Sequence, residues 1–322
     1  MLKLDFLNVG DGDAILIRDD AAGFVMLVDT GRPHIEFTRG SKRTALINHL
    51  MQERIDHIDL LVLTHLHFDH IGGTLSVLRH IPVKRLLAVY LPPDNASWIY
   101  APASEEKTVI GMCDALNLYG DIISAARACG TVCQCVSRKR ERLTSTLSML
   151  PNLPDSALIR RQKKRFDALY HGQALPDDVL YAVSKERNIS SLRLRLQYAG
   201  RTVLLTGDSY AAYWERSPGA RCDILKVPHH GDDKSMTQTL LDRLKPDYAV
   251  ISCENAESPK KERPALQVLN MLLERVPHVL CTENRAFENY PATTQTAVRL
   301  EIHPDGTILH RKDEQPSPSA VL

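Results

Sequence analysis

Apolar and polar positions alternate along the start of the chain. KLDFLNV, DAILIRD and FVMLVDTG each have the period of a strand, with Gly10, Gly12 and Gly23 at the turns. The period becomes helical over RTALINHLMQER (43–54), and IDLLVLT (58–64) is a short apolar run of the kind buried on both faces. Gly72 and Gly73 precede a helix that opens at TLSVLRHI, and VKRLLAVYLP is a further strand. From about Trp98 to Arg187 the pattern weakens: a helix is predicted over MCDALNLYGDIISAARACG, followed by the basic runs RKRER (138–142) and RRQKKR (160–165). Regular strands return as the hairpin SLRLRLQYAG and RTVLLTGD, where Leu192, Leu194 and Leu196 against Arg193 and Arg195 mark a half-exposed strand. Thereafter strands (CDILKVP, YAVISC, VLCT) alternate with helices (Thr237 to Leu244, then PALQVLNMLLERV), and TAVRLEIHPDGTILHR closes the pattern with a last strand or two.

Strand–helix units in both halves, with hairpins near each end, predict an α/β fold of two mixed sheets packed together with helices outside. The expected organisation is a single domain over 1–312, with 98–187 as a helical insertion or variable region and 313–322 as a disordered tail.

Length and composition narrow this little. A chain of 322 residues suits one large α/β unit, and its 43% apolar and 25% charged residues are ordinary for soluble proteins. A formal charge of +1 gives no general attraction to nucleic acid or anionic membrane, so a polyanionic substrate would have to be held by local charges. Asp5 interrupts any signal-peptide core, and no stretch approaches the roughly 18 uncharged residues of a membrane span. Seven cysteines, an odd count, suggest free thiols in a reducing compartment. The expectation is therefore a cytoplasmic protein without membrane contact. Cys129, Cys133 and Cys135 lack the paired C-x-x-C spacing of a zinc knuckle and read as small strand residues.

The segment LVLTHLHFDHIGG (61–73) changes the picture. His65 and His67, two apart, can converge on one ion, while Asp69 and His70, further round the turn, face a second. Isolated surface histidines do not arrive as H-x-H-x-D-H. Two more segments supply groups of the same kind at strand ends: Asp208 in LLTGD, and His229 and His230 before Gly231 in LKVPHHG.

Together these motifs resemble the metallo-β-lactamase superfamily of metal-dependent hydrolases, whose fold is an αββα sandwich. More narrowly, FLNVGDGDAILI, LVDTG, NISSLRLRL, LLTGD and LKVPHHG are similar to the hydrolase domain of ComEC-type competence proteins and to the related choline-phosphate esterases. The markers run from residue 6 to 231. The resemblance implies two divalent ions, zinc foremost and manganese the alternative. His65 and His67 would bind the first, Asp69 and His70 the second, with Asp208 bridging and His229 completing the second site. It implies that His230 lies near the substrate as a proton donor, and that Asp29 of the DTG segment orients the metal loop from behind.

The chain also departs from that pattern. A further first-ion histidine is expected shortly before Asn188, where VLYAVSKERN places Tyr181 instead. His171 in LYHGQ is the candidate replacement; without one, a single ion is expected. Asp232, where serine is usual, and Asp233 add negative charge beside the site.

The chemistry implied is hydrolysis by a metal-activated water, with Asp69 or Asp208 orienting it or taking its proton and His230 as general acid. A phosphodiesterase or nuclease is the leading expectation, with Arg160, Arg161, Lys163 and Lys164 as candidate phosphate contacts. The alternatives are a hydrolase of another ester, thioester, lactone or β-lactam, and a metal-binding regulatory module whose catalysis has decayed. Protein partners are not legible.

Overall fold

The alternation of the first strands is used on both faces. Leu2, Leu4, Phe6, Ile15, Ile17, Met26 and Val28 point into a core shared with Leu194, Leu196, Val203, Leu205 and Ile224 of a second sheet. Their strand neighbours Leu7, Leu16, Val25 and Leu27 point the opposite way, into a core closed by helices. The computed structural model, which describes residues 1–36, 39–101, 106–216, 219–255 and 262–312, thus has two sheets back to back with helices on both outer faces. The segment 313–322 lies outside the described residues.

The first sheet has eight strands in the order Ile308–Arg311, Ala297–Ile302, Leu2–Leu7, Ile15–Asp19, Phe24–Val28, Ile58–Val62, Val83–Ala88 and Val132–Cys135. Pairing is antiparallel up to Phe24–Val28 and parallel beyond it. The second sheet orders seven strands as His278–Cys281, Tyr248–Ile251, Ile224–Lys226, Arg201–Leu205, Arg193–Tyr198, Ser148–Asn152 and Glu141–Arg142. Here the strands from Arg201–Leu205 to His278–Cys281 are parallel. Each sheet therefore has a parallel portion, and open sheets collect their functional groups at the carboxyl ends of parallel strands. Those ends deliver Asp29 and the histidine loop from one sheet, and Asp208, His229 and His230 from the other.

The stretch 98–187 is more than the helical insertion expected. It holds the helices Lys107–Ala128, Ser156–Tyr170 and Asp177–Lys185, but it also adds Val132–Cys135 to the first sheet and Ser148–Asn152 to the second. Leu147 and Met149 reach the core between the sheets. These strands are short and lie towards the sheet edges, so they leave little periodic signal. Among the described residues one helix, Lys107–Ala128, is long and apolar enough to cross a membrane. It is also a core helix, with Met112, Leu116, Tyr119, Ile123 and Ala126 packed against the first sheet.

Candidate metal centre

The loop after Ile58–Val62 is fixed by backbone bonds before any side chain is considered. Leu192 N–H donates to the Thr64 carbonyl, Asp13 N–H to the Asp69 carbonyl at 3.0 Å, and Thr30 N–H to the His70 carbonyl at 2.7 Å. Gly12 is required here, since a Cβ at that position would stand 2.4 Å from the Asp69 carbonyl oxygen. Asp29, with φ +57°, accepts from both the Thr64 N–H (2.8 Å) and its hydroxyl (2.6 Å), tying the ends of two parallel strands together.

Side chains from both sheets then meet. His65 Nε2 lies 3.0 Å from His67 Nδ1 and 3.6 Å from Asp208 Oδ2. On the other side of the same carboxylate, Asp208 Oδ1 is 3.2 Å from His70 Nε2 and 3.5 Å from His230 Nε2. Asp69 Oδ2 is 3.5 Å from His230 Nε2 and 4.0 Å from His70 Nε2. Two groups of converging ligand atoms result, Asp69–His70–Asp208–His230 and His65–His67–Asp208, sharing Asp208.

The first of these groups fits a divalent cation on its own evidence. His70 Nε2, His230 Nε2 and Asp208 Oδ1 are buried, lie close together and make no hydrogen bond of ordinary geometry. Orphaned buried polar atoms are costly, and imidazole nitrogens with carboxylate oxygens are a donor set for zinc-like ions. The opposite ring nitrogens set the tautomers: His70 Nδ1 is 2.7 Å from Asp29 Oδ2, and His230 Nδ1 is 2.9 Å from the Ser252 carbonyl. With both Nδ1 atoms donating, both Nε2 atoms are left bare.

The expectation was that His229 completes the second site; the converging group formed by Asp69, His70 and Asp208 takes in His230 instead. Both histidines are left-handed, φ +48° and +56°, and the curled backbone turns the second imidazole inward. His230, with its proton directed at Ser252, is not placed to donate to a leaving group. His229 Nε2 instead receives Asn188 Nδ2 at 3.2 Å and Arg263 Nη2 at 3.0 Å, and stands 3.7 Å from Asp208 Oδ2. His171 is exposed at the end of helix Ser156–Tyr170, its Nδ1 on the Asp167 carbonyl, and belongs to no ligand group among the described residues. Tyr181 is likewise exposed, its ring facing Lys185. Arg160, Arg161, Lys163 and Lys164 lie on the solvent face of Ser156–Tyr170, with Arg161 paired to Glu186 and Lys163 to Asp167. The three clustered cysteines are free thiols, in no ligand group. Asp232 is buried, 3.7 Å from His229 Nδ1.

Four residues at the centre escaped the sequence reading. Lys226 is fully buried with its ammonium against Asp13, and Asp13 Oδ2 is also 3.8 Å from His70 Nδ1. The signal was available: Lys226 shares a face with Ile224, so it sits at a position that strand alternation assigns to the core. Arg187 and Arg263 carried no pattern at all.

Electrostatics sort the groups. Burial, reinforced by Arg187, pushes His67 down to about 3, and burial with Arg263 pushes His229 down to about 4. Both imidazoles are neutral in ordinary buffers. Burial alone would raise Asp69, but contact with His230, and with His70 behind it, holds it well below the usual carboxylate range. Burial lowers Arg187 only to about 10, so it remains a cation; its guanidinium donates to the Ser184 and Gly111 carbonyls, and its charge is felt at His67 and Asp69.

A pair of mixed sheets face to face, helices outside, and a His/Asp cluster at the carboxyl strand ends define the metal-dependent hydrolase fold of the metallo-β-lactamase type. The family model for the metallo-beta-lactamase superfamily matches residues 7–254, and the chain belongs to that superfamily. It is 26% identical over 306 residues to ComE operon protein 3 of Bacillus subtilis (strain 168), covering 89% of this chain and 33% of that protein. The chain thus spans about a third of the length of that relative. Among solved structures it is similar to the metallo-beta-lactamase fold protein YhfI from Bacillus subtilis (TM-score 0.47, 9% identity, 94% of this chain and 100% of that one). It is also similar to a diphosphatase from the PhnP family (TM-score 0.41, 12% identity, 94% and 98%).

Proposed function

We propose that the protein is a metal-dependent phosphodiesterase acting on nucleic acid or a nucleotide-like diester. The observation that carries this reading is a buried His/Asp cluster with Arg263 against His229 and with the charge of Arg187, whose guanidinium donates to the Ser184 and Gly111 carbonyls, felt at His67 and Asp69. A carbonyl substrate has little use for two guanidiniums; a phosphodiester, anionic before and during attack, does.

Asp69, His70, Asp208 and His230 are the stronger ligand set, and His65 and His67 with Asp208 the weaker. The weaker set has three ligands and faces the Arg187 charge, so it fills second or stays empty. Zinc suits the donors, with manganese the alternative. A divalent ion in this cluster supplies a Lewis acid and lowers the pKa of a bound water. The chain's own groups do the rest. Asp29 and the Ser252 carbonyl orient the imidazoles, and the ionised Asp69 and Asp208 orient an attacking water. Arg187 and Arg263 bind the phosphate oxygens, and solvent at the open side protonates the leaving oxygen.

The test is a substrate panel on metal-loaded protein: bis(p-nitrophenyl) phosphate, a short oligonucleotide, a lactone, a thioester and a β-lactam. Diester hydrolysis that Asp208→Asn reduces by at least ~100-fold, as expected for loss of a metal ligand, supports the reading. Turnover of the carbonyl substrates alone, or of none with metal retained, refutes it in favour of another hydrolase or of a regulatory module.

A further inference from the structure

The strand Arg193–Tyr198 turns Leu194 and Leu196 into the core between the sheets, and so sends Arg193 to the outer face of the second sheet. That face is covered by the segment around Trp214, and Arg193 is only 8% exposed. Among the described residues its guanidinium has no hydrogen bond and no carboxylate partner, and it lies over the Trp214 ring, 5.0 Å away. Burial lowers it only to about 10, so it is charged. A buried cation without a counter-ion is costly, and a cation–π contact offsets only part of that cost.

Arg193 borders a cavity of about 610 Å³. Arg138, also on its wall, donates to uncharged acceptors, the Pro154 carbonyl and the Ser156 hydroxyl, with the Asp155 carboxylate as its nearby opposite charge. The fifteen-residue helix Ser156–Tyr170 begins at the same wall. Both carboxylates there are committed: Asp155 caps that helix, accepting from the Ala157 and Leu158 N–H groups, and Glu186 binds Arg161 and Arg165. An anion entering the cavity meets one guanidinium without a polar partner, that of Arg193, and a second, that of Arg138, held only by uncharged hydrogen-bond acceptors.

The cavity and the metal centre share one turn of chain. Glu186 and Ile189 line the cavity, while Asn188 between them bonds His229 at 3.2 Å. We propose that this cavity is a second phosphate subsite, holding a phosphate of the substrate other than the one cut, so that the preferred substrate carries at least two phosphate groups. The proposal rests on the phosphodiesterase reading for what it binds, and on Arg193 for where. The cavity far exceeds the roughly 30 Å³ of a water molecule and has room for a phosphate with part of its ester.

Trp98 and Trp214 are the chain's two tryptophans, so in a Trp98→Phe background the emission reports on the ring under Arg193. Titration with inorganic phosphate is expected to change that emission saturably, with the same midpoint before and after chelation. Arg193→Met should raise the midpoint at least tenfold and Arg193→Lys much less. In parallel, Arg193→Met should lower kcat/KM for an oligonucleotide at least tenfold and leave bis(p-nitrophenyl) phosphate unchanged. No saturable change, an unaltered midpoint in Arg193→Met, or equal losses on both substrates overturns the subsite. Saturable, Arg193-dependent phosphate binding with no diester hydrolysed by the parent protein sustains the anion site and sinks the phosphodiesterase reading.

Discussion

Lys226→Met tests whether the centre rests on a buried charge pair. Lys226 is 0% exposed and Asp13 1%, so neither is screened by solvent. Methionine keeps most of the lysine volume and removes the ammonium, stranding the Asp13 carboxylate beside that of Asp29, which approaches the same His70 Nδ1. Breaking a buried pair by removing one partner costs about 3–5 kcal/mol, whereas removing both charges together costs far less. Asp13→Asn should therefore also destabilise, and the double variant should be about 2 kcal/mol more stable than the sum of the singles implies, within the range of contacting pairs. The assay is urea unfolding of chelated protein followed by circular dichroism, at low salt and at about 0.5 M added salt. Because the pair is dry, added salt should leave the coupling unchanged. A Lys226→Met loss below about 1 kcal/mol, or strict additivity, would refute the reasoning.

Three further outcomes are expected. Gly12→Ala forces a methyl onto the Asp69 carbonyl and should cost about 1–3 kcal/mol, together with a measurable loss of metal affinity by competition with a chelating dye. His171→Ala should leave metal content per chain, by elemental analysis, the same as the parent's; a drop would restore His171 as a ligand. Glu283, buried with Arg43 at 3.2 Å, resists the upward push of burial because Ser41, Asn8 and Arg43 hold it below its ordinary 4.5. Its folded pKa being the lower one, its stabilisation is complete above about pH 4.5 and fades as pH falls through the folded value. Glu283→Gln should thus cost about 3 kcal/mol at pH 7 and progressively less in acid unfolding experiments, and a constant difference would count against the pair.

The layers of the fold were legible because most strands here carry alternation on both faces, as in Ile15, Leu16 and Ile17. Ser148–Asn152 was not, since a short strand containing Pro151 has no period to read. At the centre, residue types at strand ends identified His65, His67, Asp69, His70 and Asp208 as a converging set. The order of His229 and His230 could not be read: which of two adjacent imidazoles faces inward depends on their left-handed φ values, and residue type alone leaves these open. Arg187 and Arg263 were invisible for a different reason, since an arginine becomes a rim cation only through what the fold sets beside it.

The cluster takes Asp69 and His70 from the first sheet's strand ends and Asp208 and His230 from the second's. Bringing groups so far apart along the chain to one point carries a loop-closure cost that is recovered only once both sheets are in place. The centre is for that reason a checkpoint on assembly. A chain stalled with one sheet formed holds half the converging set, and an ion seated across the seam would act as a rivet between the two layers, slowing their separation more than it would speed their meeting.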